Sequence, residues 1–433
     1  MTGWIGAGRV RAREDGLALE IAVDGLTTQA KYYKPLIYEF FRKEWRGARP
    51  VWGDYAVEIR MEYTGDPPWL DLDNLAKAIL DSIKGYAFHD DAQVARLLVE
   101  RAAGERERIM VTVRRLSGAG VTGPLQRAGE VRGWITKDRG GIDPGDALSF
   151  VEAELTDAKS WDAAMEGVRY VLHVASPIPS SLPEHPDDLI VPAREGTLSV
   201  MRAAAHASVQ RVVQTSSTAA IFYGRDDPNS HLFTEADWTD PDHKDNVPYT
   251  RSKTIAERAA WAELPKLPRP LEWVAINPGL VLGPVLDKDA SASVLIIAKL
   301  LKGELPGLPR FGYGVVDVRD LADLEVRAMT APQAAGQRYI GSGPFVSMSE
   351  IAKVLKQRLG DKAKKVPTGK LPDWVVRLVG LFDNEVRGQV FELGKVRRLS
   401  SAKAERDLGW SWRPWEDTIV DTATSLQAVG ALS

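Results

Sequence analysis

Asp71, Asp73, Lys77 and the pair Asp90 and Asp91 are spaced so that a helix and a turn could gather three or four carboxylates around one lysine. That donor set suits a hard cation such as Mg²⁺, which activates water and steadies charge on a phosphodiester. A lysine beside it can neutralise the negative charge that develops. Each aspartate also has a plainer reading: Asp71 and Asp73 can cap the following helix, and Asp90 and Asp91 can mark a turn. Far downstream, Tyr249 and Lys253 are four apart and therefore neighbours on one face of a helix. There the ammonium is expected to lower the phenol's pKa toward neutrality, which suits a general acid for a carbonyl oxygen receiving hydride. By itself this spacing recurs by chance in many helices. Ser216 and Ser217 close an apolar run ahead of it and offer a hydroxyl to the same carbonyl.

The elements that must position these groups follow from periodicity. Alternation predicts strands at residues 17–23 and 55–63, with an amphipathic helix over 29–45 between them. A second helix spans 72–83 and ends at Gly85, and further strands fall near 94–100 and 108–115. Residues 118–145 turn glycine-rich, charged and aperiodic, as a junction does. Beyond them, apolar runs at 168–175, 212–217 and 273–277 alternate with helices at 191–206 and 249–264, the rhythm of a doubly wound parallel sheet. Helices at 347–359 and 371–381 with turns between them suggest a small substrate lobe. The expected fold is therefore α/β throughout: a small α/β domain at 1–117, a junction at 118–145, and a Rossmann-like domain with a small C-terminal lobe at 146–433.

A length of 433 residues exceeds what one core usually supports, so two domains are expected. The chain is 44% hydrophobic and 27% charged, as ordinary globular proteins are. It has no cysteine, which excludes disulfides, thiolate zinc sites and cysteine nucleophiles. A net charge of -3 gives no global attraction to DNA, so a nucleic-acid partner must be held locally and through metal. No run approaches the roughly 18 apolar residues of a membrane span, and residues 1–6 lack a signal pattern. A cytoplasmic protein without membrane association is expected.

The acidic pattern, read with its lysine over residues 17–115, resembles the RusA family of Holliday-junction resolvases. The resemblance implies a Mg²⁺-dependent homodimeric endonuclease that nicks four-way DNA, acting in DNA recombination and repair. It places catalytic roles on Asp71, Asp73, Lys77 and Asp91, with the three aspartates as metal ligands. Asp81 and Asp90 match acidic positions whose role stays open. The family's opening strand is not legible at residues 1–16. Arg42, Lys43, Arg46 and Arg49 could meet phosphates, although a solvated helix face is the plainer reading.

Ser217, Tyr249 and Lys253 stand with Val171-Leu172-His173-Val174-Ala175-Ser176-Pro177, Asn277-Pro278-Gly279, Val316-Asp317-Val318-Arg319-Asp320 and Leu408-Gly409-Trp410. Over residues 131–428 this set resembles extended short-chain dehydrogenases of the NAD-dependent epimerase/dehydratase family, the dihydroflavonol-reductase-like aldehyde and ketone reductases above all. The resemblance implies an oxidoreductase acting on a small carbonyl substrate with NADP or NAD. It makes Ser217, Tyr249 and Lys253 the catalytic triad, with Ser216 as second choice for the serine. Ala175, Ser176 and Pro278 then border the nicotinamide and ribose, beside Tyr249 and Lys253, and Glu154 and Leu155 face the adenine. His173 reads as structural.

Such a domain should open with a strand, a glycine-rich loop and a helix that cradle the pyrophosphate. Residues 118–123 spell G-x-G-x-x-G behind a strand, but that strand already serves the first domain, and residues 124–129 are too short and interrupted for the helix. Two alignments remain. Residues 121–123 can be the stump of the strand and loop with 129–133 as the second strand, or 130–134 can be the helix that follows. Either omits most of the cradle, and the choice of NAD or NADP is not legible. Arg132, Lys137 and Arg139 are the cations available for a 2′-phosphate. The leading expectation is a fusion of a nuclease with an N-terminally truncated reductase. The alternative keeps only the nuclease active, with the reductase region a degenerate binding or structural platform.

Overall fold

The computed structural model describes residues 3–6, 8–15, 18–27, 29–45, 55–65, 68, 72–88, 94–115, 135, 144–151, 153–155, 157–177, 185–244, 246–286 and 291–432. They form two units, Met1–Phe150 and Val151–Ser433.

In the first unit, strands β1 (Val10–Asp15), β2 (Ala18–Asp24), β3 (Tyr55–Tyr63), β4 (Val94–Ala103) and β5 (Arg108–Arg115) form one sheet in the order β1-β2-β5-β3-β4. Helices α1 (Tyr33–Lys43) and α2 (Leu72–Ile83) pack on it. The alternation in β3 is the cause of its place: Val57, Ile59 and Met61 are fully buried while Glu58 and Arg60 face out. Ile37, Phe40 and Phe41 of α1 and Leu75, Ile79 and Ile83 of α2 close the same core. Each such side chain contributes roughly 2 kcal/mol by leaving water. Strand β1 supplies an opening strand within residues 1–16, where none was legible in the sequence. Val10 and Ala12 are buried, but Arg11 and Arg13 stand between and beside them, paired with Asp24 and Glu20 on β2. Charge complementarity across the ladder replaces the apolar run that marks a strand in sequence.

In the second unit, β6 (Tyr170–His173), β7 (Arg211–Thr215), β9 (Glu272–Pro278) and β12 (Arg338–Gly341) pair in parallel in the order β12-β9-β7-β6. Strand β8 (Leu232–Phe233) lies apart, paired with the later residues Arg398 and Leu399. Neighbouring residues of the central strands point to opposite faces. Val212 and Trp273 pack under α3 (Asp187–His206) and α4 (Pro248–Glu263), whereas Val213 and Val274 pack under α6 (Val318–Thr330) and Trp410. Helices on both faces make the sheet doubly wound. A smaller lobe holds β10 (Leu280–Leu282), β11 (Gly312–Asp317) and β13 (Phe345–Ser347) with α5 (Ala292–Lys302), α7 (Met348–Leu359) and α8 (Trp415–Ala428) around one core. Ser347 caps α7 reciprocally with Glu350.

The lobe is joined to the sheet where Gly279 follows β9. A Cβ there would meet the Gly314 carbonyl oxygen at 2.2 Å, so only glycine lets β11 approach so closely. At the other end, among the described residues, β6 has β7 on one side and no strand on the other. Leu172 and Val174 are 40% and 58% exposed there. This edge is where the first strand of a complete dinucleotide-binding sheet belongs.

Candidate functional site

In parallel strands the register brings the carboxyl ends to one level. His173 lies opposite Gln214, and Thr215 opposite Ile276, so residues 174–176, 216–217 and 277–278 share one edge of the sheet. Crevices at that edge are where open α/β sheets bind ligands. Helix α4 runs over it. Pro248 at its first turn supplies the dihedral that starts a helix, and Thr250 closes the cap by accepting from the Val247 amide at 3.1 Å. Tyr249 and Lys253 thereby fall on one face, with the Lys253 Nζ 5.8 Å from the centre of the Tyr249 ring.

The Ser217 side chain lies close enough to the Tyr249 phenol to favour its ionised form. Its oxygen also accepts from the Ala219 amide at 3.1 Å, which fixes the side chain's rotamer. Ser216 is committed elsewhere, donating to Glu257 Oε2 at 2.5 Å. The structure therefore brings Ser217, and not its neighbour, to Tyr249.

Lys253 is 6% exposed, and burial pushes its ammonium down to about 8. Tyr249 departs from expectation: its pKa is raised above the ordinary phenol value, because burial disfavours the phenolate by more than the nearby Ser217 hydroxyl favours it. The lysine does not reverse this, since its own charge weakens near pH 8 and it lies over the ring. The phenol consequently keeps its proton across the neutral range, which is the form a proton donor needs. His173 is buried and pushed down to about 4, first by burial and then by the nearby Lys253 charge, so it is neutral.

The groups around this edge match one half of a nicotinamide dinucleotide. Among the described residues Lys253 has no hydrogen-bond acceptor, and a buried ammonium without one is a ready partner for ribose hydroxyls. Pro278 is buried at the end of β9, while Ala175 is exposed and Ser176 half-buried just past β6. Leu155 is wedged into the core against Gly196 of α3, where a Cβ would stand 2.4 Å from the Leu155 side chain. That contact holds the Glu154-Leu155 segment, and Ser160 Oγ accepts from the Glu154 amide at 2.9 Å. Residues 118–123, both alignments of the missing cradle, and Arg132, Lys137 and Arg139 lie outside the described residues.

In the first unit, α2 begins at Leu72 and carries Asp73 and Lys77 one turn apart, with Lys77 exposed. Asp71, Asp90, Asp91 and the side chain of Asp73 lie outside the described residues, as do Arg46 and Arg49. Asp81 is 3.7 Å from Lys34. Arg42 and Lys43 both pair with Glu39 on their own helix, which favours the solvated-face reading for these two.

A doubly wound sheet with a serine, a tyrosine and a buried lysine converging at its carboxyl edge defines a dinucleotide-dependent oxidoreductase of the short-chain type. Residues 93–340 match the NAD dependent epimerase/dehydratase family, and residues 27–114 match Endodeoxyribonuclease RusA. The chain belongs to the NAD dependent epimerase/dehydratase family, and it is a fusion carrying a RusA domain ahead of it. Among similar proteins, cinnamoyl-CoA reductase 1 of Petunia hybrida is 32% identical over 290 residues, 66% of this chain and 78% of the relative. Tetraketide alpha-pyrone reductase 2 of Arabidopsis thaliana is 33% identical over 218 residues, 49% of this chain and 66% of the relative. Yeast methylglyoxal/isovaleraldehyde reductase Gre2, solved with NADPH, superposes with a TM-score of 0.57 at 26% identity, covering 70% of this chain and 90% of that one. The two family matches overlap at residues 93–114, where β5 sits between β2 and β3 of the first unit. The strand ahead of the G-x-G-x-x-G run is thus built into the RusA-side sheet.

Buried Glu257, Asn277 and Arg338 form a polar cluster that the motif reading passed over. Its one sequence signal is an acidic residue a single turn beyond Lys253, on the face that α4 turns to the sheet.

Proposed function

We propose that the second unit reduces a small aldehyde or ketone with NADPH, and that the first cuts four-way DNA junctions with Mg²⁺ as a homodimer in the cytoplasm, in recombination or repair. The observation that carries the first half is the convergence of Ser217 and Lys253 on Tyr249, the hydroxyl near enough to favour ionisation of the phenol and the ammonium 5.8 Å from the centre of its ring. NADPH is chosen because it is the cofactor named with the yeast relative. A reduced nicotinamide bound at this edge supplies hydride to the carbonyl carbon. The chain's own groups do the rest. Ser217 and Tyr249 hold the carbonyl oxygen, Tyr249 gives it a proton, and Lys253 in its charged form steadies the phenolate left behind. Lys253 also holds the ribose, Ala175, Ser176 and Pro278 border the nicotinamide, and Glu154 and Leu155 meet the adenine.

In the first unit Asp71, Asp73 and Asp91 are assigned to Mg²⁺, with Lys77 beside the phosphate. Support comes from the RusA match and from the exposed placement of Lys77 on α2. No helix among the described residues is long and apolar enough to cross a membrane.

Lysine titration tests the reductase centre. The rate of carbonyl-dependent NADPH oxidation should be level below pH 8 and fall above about 8, as Lys253 loses its proton. A profile level to pH 10 contradicts the assigned role. Stability runs the other way. Between about 8 and 10.5 the unfolded chain binds the lysine proton and the folded chain does not, so stability rises with pH across that window. Lys253→Met should therefore melt above wild type at pH 7, and the difference should close by pH 10.5.

A further inference from the structure

Behind Tyr249 and Lys253 lies a carboxylate to which the reductase chemistry gives no task. Glu257 stands one turn beyond Lys253 on α4 and is 0% exposed. A buried carboxylate persists only when its oxygens are satisfied. Here Oε2 accepts from Ser216 Oγ at 2.5 Å and from Asn277 Nδ2 at 2.8 Å, while Oε1 accepts from Arg338 Nε at 2.6 Å and Trp261 Nε1 at 3.4 Å. Three of these donors come from the ends of parallel strands: Ser216 just after β7, Asn277 within β9 and Arg338 opening β12. Arg338 is itself held by the Glu235 and Asp237 carbonyls at 2.7 and 2.9 Å and lies 3.6 Å from the centre of the Trp238 ring. The carboxylate is thus a fixed post rather than a mobile side chain.

Its connection to the reacting groups is short. Asn277 Nδ2, while donating to Glu257, also donates to the Ser217 carbonyl oxygen at 3.0 Å. Ser216, held directly, is the adjacent residue. The backbone on both sides of the Ser216–Ser217 peptide is therefore tied to the helix that carries Tyr249. We propose that Glu257 is a positioning residue of the reductase centre: its carboxylate clamps the Ser216-Ser217 turn to α4 and so sets the reach of the Ser217 hydroxyl to the Tyr249 phenol. The inference rests on the reductase reading for its kinetic consequence and on geometry alone for its structural one.

Glu257→Gln keeps the shape but sets an NH₂ where one oxygen stood, so two of the four donors lose their acceptor and face another donor. In the full chain kcat for carbonyl reduction should fall about tenfold or more, with KM for NADPH and for the aldehyde held within about threefold, as misplacement of a reacting group does. Ser216→Ala, a milder change that keeps the measurement open if the first variant does not fold, should fall in the same direction by less. The direct readout needs no turnover. In chain labelled with [¹³C]tyrosine at Cζ, the Tyr249 resonance, assigned through Tyr249→Phe, should move in Glu257→Gln and Ser216→Ala toward its position in Ser217→Ala. A Tyr249 resonance that stays in place in both variants while Ser217→Ala moves it overturns the clamp, as does a kcat loss matched by the unfolded fraction. A wild-type chain with no turnover retires the reductase reading and leaves the resonance to decide the clamp.

Discussion

Tyr249→Phe should abolish carbonyl-dependent oxidation of NADPH, lowering kcat by roughly 10²- to 10⁴-fold, the span that a positioned proton donor contributes. The substitution removes one oxygen from a half-buried ring and leaves the ring's contacts in place. Affinity for NADPH and the melting temperature should change little. The loss is specific because no other described group can take over. Ser217 lacks the acidity, His173 is neutral and buried, and Lys253 serves as a charge. The check is a steady-state assay with a small aldehyde, run beside a binding titration. Retained turnover in Tyr249→Phe would remove the tyrosine from the mechanism.

Asp73→Asn should eliminate Mg²⁺-dependent cleavage of a synthetic four-way junction while leaving the reductase assay at its wild-type rate. An amide in place of one carboxylate takes a full charge from a hard-cation site, and Mg²⁺ binds through few protein carboxylates to begin with. Lys77→Ala should slow cleavage without removing it, because a cation beside the phosphate stabilises charge but does not hold the metal. Normal cleavage by Asp73→Asn would sink the acidic-site assignment. The independence of the two assays follows from two units that each enclose their own core.

Much of the fold was legible from period and spacing. The bounds of β3, α2 and β5 match their sequence reading because alternation or helical spacing coincides with burial along their whole length. Strand β1 was not legible, because its outward residues are arginines that gain their place only from Asp24 and Glu20 on the neighbouring strand. Strand β6 is shorter than its apolar run of residues 168–175 suggests: Val174 and Ala175 have left the ladder at the carboxyl edge and are exposed there. Proximity of Ser217, Tyr249 and Lys253 followed from motif order, and the resemblance already favoured Ser217 over Ser216, but the physical reason for that preference was not legible. That reason is Glu257, whose partners lie 20, 41 and 81 residues away in the chain. Such a cluster exists only once the parallel strands are in register. The Tyr249 pKa is raised where the pair spacing predicts lowering, because spacing shows the lysine and not the burial that outweighs it.

The central claim is that the second unit still takes a nicotinamide cofactor although β5, the strand ahead of its glycine-rich run, is part of the first unit's sheet. Fluorescence titration of the full chain with NADPH tests this most directly. Saturable binding that Lys253→Met weakens is the expected result. No binding up to about millimolar NADPH, in a chain that remains folded, would contradict it and leave the second unit without its chemistry.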